Sequence, residues 1–261
     1  MDISTFLTLT EKVLGFFKSF FWKNKNIVYI NSNVKNLNIE SIRKLISPSN
    51  SKYINCQSEK KNSLKGYKRH FRKQKINLFQ IIRNVRDASK ITYCGFSSQM
   101  FSVFDGYVLG DTNNYDFIEI KNNNTYYLIS EKRKNIQDKI LLGDVKEEIN
   151  LVIETSYQID ESKCLNNPTI KLDMQEPSKI TNDYLNKVYS SVKNVLDACG
   201  NKKIDTVNLY MTAKQSVAFI VGTAIQSYHP KVRIFNYDDN NFKYYLDVQS
   251  GLIKELVING K

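Results

Sequence analysis

Three short polar segments of the sequence carry side chains that could bind a phosphorylated ligand. Each segment directly follows a predicted strand: residues 95–99 (GFSSQ), 155–158 (TSYQ) and 212–216 (TAKQS). Where such a segment starts a helix, its hydroxyl and amide groups and the unpaired backbone N–H groups suit phosphate oxygens. Lys214 adds a full positive charge. Serine and threonine at these positions are also ordinary helix N-caps, so each residue alone is equally well explained as structural.

The sequence offers little for enzymatic chemistry. It has only two histidines, His70 and His229, both predicted to lie at the surface, which leaves few general bases and almost no material for a Cys/His zinc site. It contains no Gly-x-Ser-x-Gly turn, no glycine-rich dinucleotide motif and no Walker A loop. A Glu-x-Lys pattern at 119–121 would suit a metal-dependent nuclease, but it recurs at 59–61 and 161–163 and so carries little information. We predict no catalytic residues, no metal site and no cofactor.

The charge balance predicts a polyanionic partner. Among 261 residues, 38 Lys and Arg stand against 26 Asp and Glu, which gives a net charge of +12. Nucleic acid, a nucleotide and an anionic membrane all fit that sign. Residues 59–75 hold eight of the basic side chains and are predicted to be solvent-exposed, so they could bind nucleic acid through its phosphates. Within that segment, Tyr67 and Phe71 could stack on bases or pack against the protein.

Residues 1–23 are predicted to form a short amphipathic helix with an aromatic stripe. Phenylalanines and leucines recur at three- and four-residue steps, and charged and hydroxyl residues fill the other face. The segment could dock on the protein or on a partner, lie on a membrane surface, or act as the output element. No stretch approaches 20 uncharged residues, so we predict a cytoplasmic protein, peripheral to the membrane at most. Four widely spaced cysteines without a CxxC pair predict free, mostly buried thiols and agree with that compartment.

An internal repeat predicts the architecture. At an offset of 116 residues, TYCGFSSQMFSVFDG (92–106) aligns with NLYMTAKQSVAFIVG (208–222), so that Gln99 meets Gln215 and two glycines coincide. In each copy the segments are predicted to alternate between strand and helix, an order that produces mainly parallel sheets with right-handed crossovers. Ligands of such sheets bind beyond the carboxyl ends of the strands, which is where the three polar segments lie.

The predicted elements divide the chain into two similar halves. Strands are predicted at 27–31, 91–96, 116–120, 126–130, 150–154, 207–211, 232–236 and 244–248, and helices at 37–46, 184–198 and 217–228. We therefore predict an α/β protein built from two fused Rossmann-like halves, residues 24–135 and 136–261, with the short amphipathic helix of residues 1–23 in front of them.

The repeated segments resemble the SAVED family of sensor domains. The stretch VNLYMTAKQSVAFIVGTAIQ, followed by VRIFNYDDNNFKYYLDV, looks like the second half of a SAVED domain, and ITYCGFSSQMFSVFDGYVLGD with FIEIK and TYYLIS looks like the first half. The resemblance covers residues 24–261 and rests on element order and hydropathy more than on signature residues. It implies two fused CARF-like halves that enclose a pocket for a cyclic oligonucleotide. SAVED domains are commonly fused to an effector, whereas only about 23 residues precede the domain in this sequence.

Carried over by position, the resemblance places the pocket at the three polar segments. The residues predicted to bind ligand are Gly95, Phe96, Ser97, Ser98, Gln99, Ser156, Tyr157, Thr212, Lys214, Gln215 and Ser216. The implied function is a non-enzymatic sensor of a cyclic di-, tri- or tetranucleotide in CBASS or CRISPR-associated anti-phage defence. On binding, such a sensor self-associates and activates an effector, which here is the N-terminal helix or a separate subunit. Two alternatives stay open: a basic nucleic-acid-binding protein that uses residues 59–75, and a CARF-like nuclease that degrades cyclic oligonucleotides.

Overall fold

A computed structural model describes residues 25–32, 37, 39–46, 51–57, 63–85, 88–111, 114–122, 125–130, 147–238 and 241–256. The helix predicted for residues 1–23 lies outside the described residues, as do residues 59–62 of the basic segment.

The first half is a five-stranded sheet with helices on both faces. Its elements are β1 (Lys25–Ser32), α1 (Ile39–Leu45), β2 (Ser51–Gln57), α2 (Leu64–Val85), β3 (Ala88–Phe96), α3 (Gln99–Leu109), β4 (Tyr115–Asn122) and β5 (Thr125–Ser130). The strand order is β2-β1-β3-β4-β5, parallel except for the antiparallel pair β4-β5. Helices α2 and α3 cover one face of the sheet, and the short α1 covers the other.

The second half repeats this arrangement. Its elements are β6 (Glu148–Glu154), a 3-10 turn (Glu161–Lys163), β7 (Thr169–Asp173), α4 (Asn182–Asn201), β8 (Thr206–Thr212), α5 (Gln215–Ala224), β9 (Lys231–Asp238), β10 (Asn241–Asp247) and β11 (Leu252–Glu255). The strand order is β11-β10-β9-β8-β6-β7, with antiparallel pairs only at β9-β10 and β10-β11. Thr181 caps α4, because its Oγ1 accepts a hydrogen bond from the Tyr184 N–H at 3.3 Å.

The two sheets confirm the predicted fold class of two α/β halves. The order β2-β1-β3-β4-β5 has the same connectivity as β7-β6-β8-β9-β10, and β11 is an additional edge strand. The offset of 116 residues holds along most of the repeat: α3 and α5 start at Gln99 and Gln215, and β4 and β9 start at Tyr115 and Lys231. The residue boundaries 24–135 and 136–261 stay predictions.

The sequence did not predict β2 and β7. Both are edge strands next to the first strand of their half. Along β7 the side chains alternate between exposed and half-buried, and in β2 only Ile54 and Cys56 are buried. An edge strand of this kind needs no hydrophobic run, so its segment has the composition of a loop.

The halves meet where α3 packs against α5. At the crossing, a Cβ added to Gly106 would lie 1.9 Å from the Phe219 carbonyl oxygen, and one added to Gly222 would lie 2.0 Å from the Val103 carbonyl oxygen. These two contacts are related by the repeat. The aligned glycines therefore have a packing role: they let two helix backbones touch at the centre of the molecule.

Candidate functional site

A cleft of about 370 Å³ lies between the two halves, at the carboxyl ends of the parallel strands. Its walls come from the turns after β3 and β6, the ends of β8 and β9, and the starts of α2 and α5. The lining residues are Tyr67, Ser97, Ser98, Gln99, Ser156, Tyr157, Met211, Thr212, Ala213, Gln215, Asn236 and Tyr237. None of these lining residues is acidic or basic, so the cleft presents hydroxyl, amide and aromatic groups.

The fold brings most of the predicted binding residues together. Seven of the eleven line the cleft, namely Ser97, Ser98, Gln99, Ser156, Tyr157, Thr212 and Gln215. They come from three separate turns, which the sequence could connect only through the general topology of parallel sheets. Their assignment as ligand-binding residues stays a prediction.

Gly95 and Phe96 lie away from the cleft lining. Gly95 is buried in β3, where an added Cβ would lie 2.8 Å from both Tyr93 and Gln215, so its role is close packing. The Phe96 ring packs on Tyr126 with centroids 5.9 Å apart, in the cluster on the α1 face of the first sheet. Because successive side chains of a strand point to opposite faces, the residue before the turn faces away from the halves' interface.

Lys214 and Ser216 are held by carboxylates of the protein. Lys214 Nζ forms an ion pair with Glu176 Oε2 at 3.2 Å, and the Ser216 N–H donates to Glu119 Oε1 at 2.8 Å. Burial raises the pKa of the Glu119 carboxyl, and the hydrogen bonds from Ser216 oppose that rise. The three polar segments themselves contain no carboxylate, and both acids at the start of α5 come from distant parts of the chain.

Five lining residues were not predicted: Tyr67, Met211, Ala213, Asn236 and Tyr237. Asn236 joins two walls, since the Ser98 hydroxyl donates to its Oδ1 while its Nδ2 donates to the Tyr67 hydroxyl at 3.0 Å. Its position at the end of a predicted strand could have identified Asn236 as a cleft residue from the sequence. Tyr67 had no such signal, because its segment was notable only for charge.

Two glutamines related by the repeat tie the halves together beside the cleft. Gln99 Nε2 donates to the Ala213 carbonyl oxygen at 2.6 Å, and Gln215 Nε2 donates to the Ser97 carbonyl oxygen at 2.8 Å. Ala213 and Ser97 are themselves 116 residues apart, so the two hydrogen bonds are equivalent. The cleft therefore lies on the pseudo-two-fold axis that relates the halves.

A family comparison agrees with this arrangement. The model of the family described as "SMODS-associated and fused to various effectors sensor domain", abbreviated SAVED, matches residues 74–248. The chain belongs to the SAVED family. The match includes every lining residue of the cleft except Tyr67.

Solved structures of SAVED proteins share the fold. The Cap4 SAVED/CARF-domain containing receptor of Acinetobacter baumannii, solved with the cyclic trinucleotide 3'3'3'-cAAA, matches with a TM-score of 0.55 and 14% identity over 91% of this chain and 53% of its own. The Moraxella osloensis Cap4 receptor matches with a TM-score of 0.51 and 15% identity over 86% and 49%. The chain thus spans about half the length of these receptors, and the likeness extends to the fold. No curated protein matches the chain.

Behind the cleft, the first half of the SAVED domain holds a fully buried carboxylate, Asp105. It accepts hydrogen bonds from Tyr29 (3.1 Å), Asn31 (2.6 Å), Gln74 (2.7 Å) and Tyr93 (3.0 Å). Burial raises the pKa of Asp105 to about 7, and the four donors oppose the rise. Donors to a carboxylate form strong hydrogen bonds, so this cluster fixes β1, α2 and β3 against α3.

The cluster continues to the cleft through Ser102. The Tyr93 hydroxyl lies within hydrogen-bond distance of Ser102 Oγ (2.8 Å) as well as of Asp105, so its single hydrogen can be donated to either, and the Ser102 hydroxyl donates to Gln215 Oε1. The repeat places Val221 opposite Asp105 and Ala218 opposite Ser102, so the second half of the SAVED domain has no equivalent. Gln215 is thus held by a polar network from the first half, whereas the residue equivalent to Ser102, which would hold Gln99, is Ala218.

Tyr157 is the most exposed aromatic residue at the cleft. Its side chain is 78% exposed, while its backbone is fixed to the end of β8: the Tyr157 N–H donates to Thr212 Oγ1 at 3.4 Å, and the Thr212 hydroxyl donates to the Tyr157 carbonyl oxygen at 2.5 Å. Tyr237, at another edge of the same cleft, is 50% exposed. A rigid backbone with an exposed ring is the arrangement that stacks on nucleobases.

The start of α2 places positive charge beside the cleft. A depression lined by Leu64, Lys65, Lys68, Arg69 and Arg72 lies on the outer side of the helix, whereas Tyr67 faces the cleft. The prediction that residues 59–75 are solvent-exposed is wrong for one face of the helix, because Tyr67, His70, Phe71 and Gln74 are buried. Tyr67 and Phe71 pack on Phe101, so packing rather than base stacking explains Phe71.

Both histidines are buried, contrary to the sequence-based prediction. His70 Nε2 lies 2.9 Å from Asn31 Oδ1, and burial lowers the pKa of His70 to about 4. His229 Nδ1 accepts from the Gln226 N–H at 2.9 Å, and its Nε2 lies 2.8 Å from Asp197 Oδ1. Both rings therefore have structural partners. Neither histidine lines the cleft.

Two further features concern metal ions and membranes. Within the part of the chain that the structure describes, no group of three or more His, Cys, Asp or Glu side chains could hold a metal ion. Over the same ranges, no helix combines the length and the apolar composition that crossing a bilayer requires. The cysteines are free, as predicted; Cys56, Cys94 and Cys199 are buried, and Cys164 is half-buried.

Proposed function

We propose that this SAVED protein is a sensor that binds a cyclic oligonucleotide in the cleft between its halves. The observation that carries the proposal is the cleft itself, where equivalent residues of two repeats face each other across a pseudo-two-fold axis. A ring of repeated nucleotides presents similar groups in several directions, so walls of related composition suit it. The cyclic trinucleotide in the Acinetobacter baumannii receptor supports this ligand class for the family.

The groups around the cleft match the parts of a nucleotide. Hydroxyls and amides can bind phosphates and base edges, and Tyr157 offers a stacking surface. A volume of about 370 Å³ is at the lower end of the range for small-molecule sites. A cyclic trinucleotide is larger, so part of the ring would lie outside, against Tyr157. The basic residues of α2 would attract the ligand without contacting it in the cleft.

Calorimetry against cyclic di-, tri- and tetranucleotides tests the proposal, and Tyr157→Ala tests the stacking. We expect the wild-type protein to bind at least one ring, and Tyr157→Ala to weaken that binding roughly 5- to 150-fold, since base–aromatic stacking contributes about 1–3 kcal/mol per base. Tyr228→Ala is the matched control, because Tyr228 is also a highly exposed tyrosine but follows α5 at the opposite end from the cleft. Absence of binding to every ring would refute the sensor function.

The further steps of the proposal are that the bound sensor self-associates and activates an effector in anti-phage defence. The resemblance of the chain to other SAVED domains supports these steps. Sedimentation of the calorimetry mixtures is their readout, with a ligand-dependent increase in mass expected. Chromatography of the recovered ligand also separates sensing from degradation, since a non-enzymatic sensor returns the ring intact.

A second candidate function, binding of long nucleic acid, is favoured by the basic depression on α2.

The same basic side chains have a different expected role if the protein is a sensor. Replacing Lys65, Lys68, Arg69 and Arg72 by glutamine should then slow association of the cyclic ligand about tenfold at low salt and leave its dissociation unchanged. Lys73 is left intact because its Nζ donates to the Gln57 carbonyl oxygen at 2.7 Å. The control neutralises four exposed lysines elsewhere, Lys44, Lys187, Lys202 and Lys254.

The same two variants separate the candidates. In filter-binding assays, the nucleic-acid function predicts that the wild-type protein binds long RNA or DNA tightly and that only the α2 variant loses this binding. If that is observed and no cyclic oligonucleotide binds, the nucleic-acid function replaces the sensor function.

A further inference from the structure

The starts of α3 and α5 are equivalent by the repeat but differ in their partners. At α5, carboxylates of the protein accept from the backbone: the Lys214 N–H donates to Glu176 Oε1 at 3.3 Å and the Ser216 N–H to Glu119 Oε1 at 2.8 Å. Lys214 Nζ also pairs with Glu176. The positive end of α5 is therefore already neutralised, and two acids stand between its donors and any anionic ligand.

At α3 the equivalent donors are open. The counterparts of Lys214 and Ser216 are Ser98 and Met100, and among the described residues neither backbone N–H has an acceptor. Ser98 occupies the N-cap position, but its hydroxyl donates to Asn236 and makes no capping hydrogen bond. The counterpart of Glu119 is Phe235, which stacks on Tyr210 with centroids 4.6 Å apart and provides no acceptor.

A buried hydroxyl without a partner lies beside these donors. Ser97 lines the cleft, is only 8% exposed, and its Oγ has no hydrogen-bond partner among the described residues. A buried polar group of this kind is normally hydrogen-bonded, so the Ser97 hydroxyl is available to donate to a ligand in the cleft. The equivalent residue in the second half is Ala213. The Ser216 hydroxyl at the start of α5 is also buried, but it does not line the cleft, and the Ser216 N–H is bound to Glu119. Among the described residues, open N–H groups and a cleft-lining hydroxyl without a partner therefore occur together at α3.

We infer that the cleft binds one phosphate group at the start of α3 and none at the start of α5. The inference rests on the proposed function, because the phosphate belongs to the cyclic oligonucleotide. The N–H groups of Ser98 and Met100 and the hydroxyl of Ser97 donate to the phosphate oxygens, with the positive end of α3 behind them. The ring is therefore held asymmetrically, although the two walls of the cleft are related by the repeat.

Ser98→Asp tests this site by placing a carboxylate where the phosphate would bind. Aspartate cannot donate to Asn236 as the Ser98 hydroxyl does, but it is at least as good an N-cap as serine, so the gain in capping should offset the lost hydrogen bond and the melting temperature should change little. We expect the affinity for the ring that binds wild-type protein to drop about 30-fold or more, from repulsion and from competition for the same donors. Ser98→Asn is the matched control of equal size without charge, expected to lose no more than about fivefold.

Titration with inorganic phosphate, followed by amide NMR of the labelled full-length protein, tests the site independently of the ring. The amides of Ser98 and Met100 should shift, and those of Lys214 and Ser216 should not. Wild-type affinity retained in Ser98→Asp, or shifts at α5 instead of α3, would overturn the inference and leave the sensor function standing. If no ring binds, the sensor function fails, and the phosphate titration alone confirms or overturns the anion site.

Discussion

Replacing Gly222 by alanine is expected to lower the free energy of unfolding by about 3 kcal/mol or more. The new Cβ would lie 2.0 Å from the Val103 carbonyl oxygen and 2.9 Å from the Tyr107 nitrogen. These are backbone atoms of α3, which cannot rotate away as a side chain could. The two helices must separate, and the core that joins the halves opens with them. Gly106→Ala should act equally, because its Cβ would meet the Phe219 carbonyl oxygen at 1.9 Å.

Chemical denaturation followed by circular dichroism measures this effect. Gly200→Ala is the control, because Gly200 is also a helical glycine, but its Cβ would meet only Pro230 at 3.9 Å, an ordinary contact. That variant should match the wild type or be more stable by up to about 1 kcal/mol, since alanine favours the helix. Unchanged stability of Gly222→Ala would show that the halves do not pack through these glycines.

Replacing Asp105 by asparagine is expected to change both stability and its pH dependence. Near pH 5 the wild-type carboxyl is protonated, because its pKa is about 7, so one of its oxygens already carries a hydrogen. The amide of asparagine places a second hydrogen there and leaves one of the four buried donors without an acceptor. Each buried donor left without a partner costs about 1–3 kcal/mol. We therefore expect Asp105→Asn to be roughly 1–3 kcal/mol less stable than the wild type near pH 5.

The pH dependence has a definite sign. Asp105 has its pKa raised from 3.8 to about 7 in the folded state, so the folded protein binds the proton more tightly and loses stability as pH rises from about 4 to 7. His70 has its pKa lowered from 6.5 to about 4, so it has the opposite effect and the protein loses stability as pH falls over almost the same range. The two effects largely cancel between pH 4 and 6.5.

Removing Asp105 therefore exposes the contribution of His70. Between pH 4 and 6.5 the free energy of unfolding of Asp105→Asn should rise by up to about 3 kcal/mol more than that of the wild type. The difference in stability between the variant and the wild type should therefore become smaller towards pH 8. Denaturation curves at four pH values measure this, with Asp205→Asn as the control because Asp205 is exposed. Parallel profiles for Asp105→Asn and wild type would contradict the proposed coupling of the buried carboxyl to folding.

Residues of the candidate site differed in how far the sequence could place them. Ser97, Ser98 and Gln99 could be placed at a strand end from the sequence because their polar turn follows an apolar strand, a pattern of consecutive residues, and they line the cleft; that they bind ligand stays a prediction. Lys214 was predicted by the same logic but is paired with Glu176, which follows a different strand. Tyr67 was read as part of a charged segment, and only the packing of α2 turns it towards the cleft.

By itself, the sequence determined the two α/β halves, their repeat and the polar turns at the strand ends. These features follow from hydrophobic periodicity and turn composition, which act over a few residues and recur 116 residues apart. Only the tertiary structure decided which turns are open to a ligand. Glu119 accepts a hydrogen bond from Ser216, 97 residues away in the sequence, and Asp105 accepts hydrogen bonds from residues of β1, α2 and β3. Such contacts depend on how distant elements pack, and no local pattern encodes the pairing of one carboxylate with one helix end.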